Sequence, residues 1–456
     1  MLQEKFFRIE NKKYLTAWLL ITVCFALWGF ANNVTTPMVN AFSRVFRIST
    51  TEASLVPIVF NLGYFCLAFP AAMFIQKYTY KWGIIVGLIL FAVGALFFIP
   101  ARWIGAFYPF LTSYFVLTCG LSFLETSCNP YIFSLGSKEH AIQRLNAAQA
   151  FNALGSVIGM LVAMHVQEML SPMSAQLRMR LPLQQFNIIK DHDLSVLIQP
   201  YILIGAIVIV VLVTMLTVTM PQDTDIRTTR GTWRILKELL HMKSYREGVI
   251  AEFFYVGAQV GCWMYIIQYG MHIFMSEGMS EQNAEILAQK YNITALVLFC
   301  IFRFVTTALM RHVSTTRMLS VMGIIAMVAV LGAMSFTDRS GLYCLIIVSA
   351  CMSLMFPTIY GVALVGVGEH IKIASAGLIM AILGGSFFPP IQAAIIQSRV
   401  TLLGVPSTNV SFIVPLICLG VVVWYGHRSY VRNHITPDAP LPVDDDDTLT
   451  TLTATE

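Results

Sequence analysis

Charged residues are scarce in this chain of 456 residues: Lys, Arg, Asp and Glu together make up 12%, whereas 57% of the residues are hydrophobic. Soluble proteins carry roughly twice that charged fraction. The mean hydropathy is +0.72, and no aqueous fold hides so much apolar surface. The composition therefore predicts an integral membrane protein whose main solvent is the lipid bilayer.

The sequence also lacks a metal-binding cysteine pattern and a clustered basic stripe. All nine cysteines fall inside apolar runs and none has C-x-x-C spacing, so we interpret them as small packing residues. The net charge of +5 is scattered between apolar runs, which argues against binding to nucleic acid. We find no paired histidines at membrane depth, and histidines such as His241, His312 and His370 lie at predicted loop boundaries. We therefore expect no enzyme, no metal and no cofactor.

Long apolar runs are what the sequence does contain. A membrane helix needs about 20 mostly apolar residues, and the chain has about twelve such runs. The first run is too long for the core of a cleavable signal peptide, so we expect it to remain as a helix. The predicted runs are about 15–42, 53–75, 82–100, 107–134, 142–167, 200–220, 247–275, 286–310, 317–336, 341–367, 373–397 and 406–427.

The runs fall into two groups of six, which predicts an all-α membrane protein built from two pseudo-symmetric six-helix bundles. Internal prolines, Pro130 and Pro357, occupy matched places in the fourth and tenth runs. Paired halves of this kind are typical of carriers that work by alternating access. We assign 1–220 to an N-terminal bundle, 221–246 to a basic cytoplasmic linker, 247–430 to a C-terminal bundle and 431–456 to a disordered acidic cytoplasmic tail.

Lys and Arg are distributed unevenly between alternate loops. Roughly two thirds of the 29 Lys and Arg residues lie on the side that holds both chain ends, among them Lys77, Lys81, Arg144 and Arg317. Cytoplasmic loops carry an excess of positive residues. The sequence therefore predicts that both termini are cytoplasmic.

Polar and aromatic side chains inside the runs lie at helical spacing, three or four residues apart. Amides pair with hydroxyl groups and aromatic rings cover apolar ring faces, so these stripes suit a sugar. Alternatively, any one amide could bond a neighbouring helix, and the two tryptophans could be ordinary packing. The stripes comprise Trp28, Asn32 and Thr36 in the first run, Asn146, Gln149 and Asn152 in the fifth, and Tyr255, Gln259 and Trp263 in the seventh.

Glu125 lies well inside the fourth run, 18 residues after its start at 107 and nine before its end at 134. An ionised carboxylate near the bilayer centre costs about 2.5 kcal/mol or more, and such groups usually face a water-filled cavity. We therefore expect Glu125 to bind the coupling proton, to accept a hydrogen bond from the substrate, or both. Arg303, eight residues before Arg311, fits a cavity and the cytoplasmic boundary equally well. Glu252, near the start of the seventh run, is expected at the membrane interface.

Six motifs resemble the L-fucose:proton symporters of the major facilitator superfamily, in the group of fucose–galactose–glucose:proton symporters. They are spread in order over the first ten runs, so the resemblance covers almost the whole chain. The motifs of the fourth and fifth runs are fairly specific to this group. The motifs are Trp28-Gly-Phe-Ala-Asn-Asn33, Lys77-Tyr-Thr-Tyr-Lys-Trp-Gly-Ile-Ile-Val-Gly87, Leu124-Glu-Thr-Ser-Cys-Asn-Pro130, Arg144-Leu-Asn-Ala-Ala-Gln-Ala-Phe-Asn152, Val256-Gly-Ala-Gln-Val-Gly-Cys-Trp263 and Phe356-Pro-Thr-Ile-Tyr360.

The resemblance implies the major facilitator fold, coupling of sugar entry to proton entry, and a place in the bacterial inner (plasma) membrane. Glu125 matches the family's membrane carboxylate, which serves substrate and proton. The other matching positions would line the cavity, with Trp28, Asn33, Gln149 and Asn152 in the first half and Arg303 in the second.

The sequence departs from the family at two positions. Thr36 stands where the fucose carriers have an aspartate, so coupling could rest on Glu125 alone, use another ion or be absent. Phe356 stands where the family commonly has a tyrosine. An unpaired buried group costs about 1–3 kcal/mol, so losing this hydroxyl can redirect specificity. L-fucose is the first candidate, with glucose, galactose or an amino sugar behind it.

Other functions share parts of this pattern. A drug/proton antiporter has the same fold but would prefer a broad apolar cavity, and the amide-rich face of the fifth run argues against it. A channel or sensor would also span the membrane, although paired halves favour a rocking carrier. We expect a monosaccharide, a proton and the lipid bilayer as partners, and a monomer as the working unit.

Overall fold

The computed structural model describes residues 12–48, 52, 55–136, 138–171, 173, 175–220, 231–398 and 405–435. Within these residues, twelve helices are long and apolar enough to cross a membrane, as the sequence predicted. In chain order the membrane helices, first to twelfth, are Lys12–Phe46, Leu55–Lys77, Tyr80–Leu96 with Phe98–Ile104, Phe107–Ser134, Ala141–Met169, Leu183–Thr217, Lys243–Ser276, Glu281–Leu309, Thr315–Ser335, Arg339–Met352 with Met355–Leu364, Ile371–Met380 with Gly384–Gln397, and Ser407–Val410 with Ile413–Ile435.

The sixth helix differs most from the sequence prediction. It begins at Leu183 rather than near residue 200, because the polar segment 183–199 ahead of the apolar run is also helical. Asp193 in that segment is buried and pairs with Arg178 of the short helix Ala175–Arg180, with 2.6 Å between Oδ2 and Nη2. A prediction based on hydropathy places the end of the membrane helix at these charged residues. The paired charges neutralise each other and remain inside the protein.

Glycines bring the first and fifth helices into direct backbone contact. A Cβ atom added at Gly29 would lie 2.1 Å from the carbonyl oxygen of Asn152, and one at Gly155 would lie 2.0 Å from that of Ala26. Small residues at helix contacts are typical of membrane proteins, where lipid supplies no hydrophobic drive for association. The contact places the polar face of the fifth helix against the first.

The seventh helix is the centre of the second half, where it packs against the eighth, tenth, eleventh and twelfth helices. A Cβ atom added at Gly384 of the eleventh helix would lie 1.9 Å from the carbonyl oxygen of Phe253. The Tyr245 hydroxyl donates to the carbonyl of Ala374 at 2.8 Å. Close packing on several sides fixes the rotation of the seventh helix and therefore the direction of its polar side chains.

The two halves are joined by hydrogen bonds near one end of the bundle. The Gln143 amide of the fifth helix donates to the carbonyl of Thr307 in the eighth at 3.0 Å. Asn146 donates to the hydroxyl of Thr358 in the tenth helix at 3.3 Å. Both bonds lie where the fifth helix begins and where the eighth and tenth helices end. The halves are therefore held together at that end.

A helix, Thr232–His241, occupies part of the predicted linker 221–246, of which 221–230 lie outside the described residues. Ile235 and Leu239 on one face are buried, while Trp233 is 76% exposed. The helix touches both halves: Thr232 donates to the Gln76 amide oxygen at 3.3 Å, and Glu238 lies 3.2 Å from His370 Nε2. The connection between the halves therefore includes a helix that contacts both of them. The predicted tail beyond Ile435 lies outside the described residues.

An exposed ion pair follows the seventh helix, at the opposite end from the helix Thr232–His241. Arg339 Nη2 lies 2.6 Å from Glu277 Oε2. The hydrogen bonds from Arg339 hold the pKa of Glu277 below its ordinary value. Exposed pairs of this kind contribute little to stability.

We expect Gly155→Ala to destabilise the protein by about 1–3 kcal/mol, because the added methyl group collides with the backbone of the first helix. Gly420→Ala is the matched control, since its Cβ would meet its nearest neighbour, Met327, at 3.9 Å. Thermal unfolding in detergent measures both. Equal melting temperatures for the two variants would contradict the close packing of the first and fifth helices.

Candidate functional site

Pro130 interrupts the hydrogen bonding of the fourth helix and leaves the carbonyl of Thr126 without its usual N–H donor. The hydroxyl of Ser375, from the eleventh helix in the other half, donates to this carbonyl at 3.0 Å. Both residues are fully buried. A main-chain acceptor that cannot reach water must be satisfied within the protein. The proline therefore creates a bond between the halves.

Pro357, in the first turn of the second segment of the tenth helix, has no N–H to donate to the carbonyl of Ser353, which lies between the two segments. The Nε of Arg303 donates to this carbonyl, and its Nη1 donates to the carbonyl of Gln149 at 3.2 Å. The guanidinium lies 4.6 Å from the ring centre of Phe299. The sequence allowed Arg303 to lie either in a cavity or at the cytoplasmic boundary. In the structure its side chain is 2% exposed and lies in the interior. Its guanidinium spans the two halves.

Glu125 of the fourth helix lies beside Tyr64 of the second helix, a residue that the sequence analysis missed. The charge of Glu125 acts on the tyrosine hydroxyl, and that hydroxyl donates to Asn32 Oδ1 at 3.4 Å. Glu125 is 4% exposed and Asn32 is half-buried. The acid is thus connected through Tyr64 to an amide that is not sealed in the interior.

The amides of the fifth helix bond neighbouring helices through their nitrogens. Gln149 Nε2 donates to Asn129 Oδ1 at 2.9 Å, and Asn152 Nδ2 donates to the carbonyl of Phe25 at 3.2 Å. Their side-chain oxygens accept no hydrogen bond within the described part of the chain. Each amide therefore combines a structural contact with an acceptor that a ligand can use.

The polar stripe of the seventh helix faces the tenth helix. Trp263 Nε1 donates to the Ser349 hydroxyl at 2.9 Å, and the Tyr255 hydroxyl donates to the carbonyl of Met352 at 3.0 Å. Gln259, between them, is half-buried, and its amide has no hydrogen-bond partner among the residues described. This amide is a candidate to contact a ligand from the second half.

The aromatic residue of the tenth helix singled out by the sequence is buried beside this stripe. The ring of Phe356 lies 6.5 Å from that of Tyr255 and is stacked against Tyr360 at 6.3 Å. Phe356 is 9% exposed. Its ring adds an apolar wall next to the polar groups.

Two residues predicted for the first helix, Trp28 and Asn33, make other contacts, and a third, Thr36, has a side chain that the structure does not describe. Trp28 is 2% exposed and packs against Phe25, with ring centres 4.1 Å apart. Asn33 donates to the carbonyl of Gly29 in its own helix at 3.3 Å. The side chain of Thr36 lies outside the described residues. A ligand role for these three stays a prediction.

Glu252 of the seventh helix was expected at the membrane interface, and this expectation was wrong. Its side chain is fully buried, and its charge acts on Arg303 and Glu125. Counting residues from the start of the helix gives depth but not the face. Glu252 lies three residues before Tyr255 and seven before Gln259, so the spacing of the polar stripe could have found it.

The site therefore holds carboxyl groups, amides, a guanidinium and aromatic rings around the contact between the halves. Amides and a carboxylate offer hydrogen bonds to hydroxyl groups, and the rings offer an apolar face. A buried carboxyl group can also gain and lose a proton as its surroundings change. The arrangement suits binding of a polyhydroxylated ring together with a proton.

Comparison with known proteins identifies relatives along nearly the whole chain. A family model described as the Major Facilitator Superfamily matches residues 19–390. The L-fucose-proton symporter of Haemophilus influenzae is 41% identical over 432 residues, which cover 93% of this chain and 98% of that protein. The L-fucose-proton symporter of Escherichia coli is 30% identical over 427 residues, covering 91% and 93%. The crystal structure of the transporter FucP in the outward conformation has a TM-score of 0.81 at 28% identity, covering 92% of this chain and 99% of that chain.

We expect Ser375→Ala to weaken the contact between the halves by about 1–3 kcal/mol, because it leaves the buried Thr126 carbonyl unsatisfied. Deuterium uptake should then rise in the end segments of the fourth and eleventh helices that carry these two residues. Ser335→Ala is the control, since that exposed hydroxyl bonds only within its own helix in the described structure. Unchanged exchange in Ser375→Ala would show that this bond does not hold the halves.

Proposed function

The chain belongs to the Major Facilitator Superfamily, and on that premise we propose that it imports a monosaccharide together with protons, with L-fucose as the first candidate. It is a transporter and not an enzyme, and a multi-pass membrane protein. Both symporters named above carry L-fucose with protons according to their names, and they match this chain over almost their full lengths.

The observation that carries this proposal is the place of Glu125. The carboxyl group lies on the fourth helix, inside the N-terminal bundle and beside Tyr64, which connects it to the amide of Asn32. We assign Glu125 as the site of the coupling proton and as a hydrogen-bond partner of the sugar. Amide oxygens of Gln149 and Asn152 extend the same face.

The remaining predicted residues form the rest of the proposed sugar site. Arg303 and Gln259 approach from the second half, while Trp263 and Phe356 supply aromatic surface. Asn32 borders the site from the first helix, and the sequence pattern alone assigns Trp28, Asn33 and Thr36 to it. A monosaccharide with several hydroxyl groups and one apolar face matches this division of polar and aromatic walls.

Alternating access follows from where the halves touch. The hydrogen bonds from Gln143, Asn146, Arg303 and Ser375 close one end of the bundle. The uneven distribution of Lys and Arg supports a cytoplasmic position for this end and for both termini. We therefore propose that the structure represents an outward-facing state of an inner-membrane carrier that works as a monomer. The linker 221–246 would connect the two rocking halves.

We expect proteoliposomes containing the protein to take up labelled L-fucose, faster under an inward proton gradient than without one. Glucose, galactose and an amino sugar should compete less well, since the two relatives at 41% and 30% identity are L-fucose-proton symporters. Filtration assays with each sugar measure this. If no sugar enters while cationic dyes are expelled, the protein is a drug/proton antiporter and the proposal is wrong.

We expect Glu125→Gln to lower the sugar accumulation reached at a membrane potential of 100 mV by about 50-fold, because one charge fewer crosses the membrane. Exchange of labelled for unlabelled sugar should persist, since exchange needs no net proton movement. Glu285→Gln, a change at an exposed carboxyl group of the eighth helix, is the matched control. Full accumulation in Glu125→Gln would exclude the assigned proton role.

A further inference from the structure

A second carboxyl group, Glu252 of the seventh helix, is buried near Arg303 and Glu125, and the described residues offer it no hydrogen bond. Its side chain is 0% exposed, and neither Oε1 nor Oε2 has a partner among the residues that the structure describes. Transfer of an isolated carboxylate into such surroundings is far more costly than transfer of the neutral acid. The geometry of this state therefore favours the protonated form of Glu252.

The charged and titratable groups around Glu252 do not change its preference for the protonated form. Arg303 has committed its Nε and Nη1 to the carbonyls of Ser353 and Gln149, and Glu125 adds repulsion from the other half. The tyrosines nearby are neutral hydroxyl groups. The groups in electrostatic contact with Glu252 are Arg303 of the eighth helix, Glu125 of the fourth, Tyr255 of the seventh, Tyr360 of the tenth and Tyr425 of the twelfth.

The partners of Arg303 belong to different halves, and this makes its bonding depend on the transport cycle. Ser353 is in the same half as Arg303 and Glu252, whereas Gln149 is in the other half. When the halves separate at this end, the bond from Nη1 to the Gln149 carbonyl breaks. The released guanidinium then needs an acceptor, and Glu252 is the carboxyl group within its own half.

We propose that Glu252 is a second proton-binding group of the transport cycle, which holds its proton while the halves are joined and releases it when they separate. The O–H bond of the Glu252 carboxyl breaks, the proton passes to water entering at the opened end, and the carboxylate pairs with Arg303. The inference rests on the proposed proton-coupled transport. It adds a site in the C-terminal half to the one assigned to Glu125.

The proton on Glu252 can be observed without any transport. In the purified Glu125→Gln protein at neutral pH, the infrared carbonyl band of a protonated buried carboxyl group should be present. The additional change Glu252→Gln should remove this band, while Glu247→Gln should leave it, because Glu247 is paired with Arg428 and Arg432. A band that persists in Glu252→Gln would overturn the proposal, whichever substrate the protein carries.

The number of protons moved per sugar tests the role of Glu252 in the cycle. Reversal potentials in proteoliposomes should give about two protons per sugar for the unaltered protein and about one for Glu252→Gln, which lowers accumulation about 50-fold at 100 mV. Glu252→Asp should keep both protons, and Glu247→Gln is the control on the same helix. An unchanged ratio in Glu252→Gln would overturn this inference alone. Absence of proton-coupled uptake in the unaltered protein would instead overturn the proposed function.

Discussion

In a bilayer, every main-chain carbonyl must find a donor inside the protein, because the surrounding hydrocarbon offers none. A proline within a membrane helix removes one N–H and so leaves the carbonyl four residues earlier without a partner. Pro130 and Pro357 do this at matched places in the two halves. The carbonyl freed by the first accepts from Ser375, and the carbonyl freed by the second accepts from Arg303. The requirement for backbone hydrogen bonding thus determines where side chains meet at the contact between the halves.

The same requirement controls the charges at this contact. Arg303 is stabilised by carbonyl groups rather than by a carboxylate, so it neutralises neither Glu125 nor Glu252 completely. Uncompensated acids in the interior favour their protonated forms. In the proposed transport cycle, the acids therefore hold their protons for as long as the halves stay joined. Separation of the halves redistributes the donors of one guanidinium and changes the electrostatic balance of both acids.

The sequence was sufficient for the features that depend on composition along the chain. Twelve apolar runs, the matched prolines and the depth of Glu125 could all be read from hydropathy and helical spacing, because lipid imposes length and polarity directly. Features that depend on tertiary contacts could not be predicted from the sequence. The start of the sixth helix depends on the pairing of Asp193 with Arg178, and the burial of Glu252 depends on how the seventh helix is rotated. The packing of Trp28 against Phe25 likewise could not be read from helical spacing.

Gln149 shows how substrate binding and closure of the halves can be coupled through one residue. Its side-chain nitrogen donates to Asn129, its main-chain carbonyl accepts from Arg303, and its side-chain oxygen is the atom proposed to bind the sugar. A ligand that reorients the amide acts on the same short segment of helix that binds the guanidinium of the other half. Coupling of this kind needs no long pathway through the protein, since the two states differ in the bonds made at one residue. In the proposed cycle, proton binding by Glu252 depends on the same hydrogen bond from Arg303 to the Gln149 carbonyl.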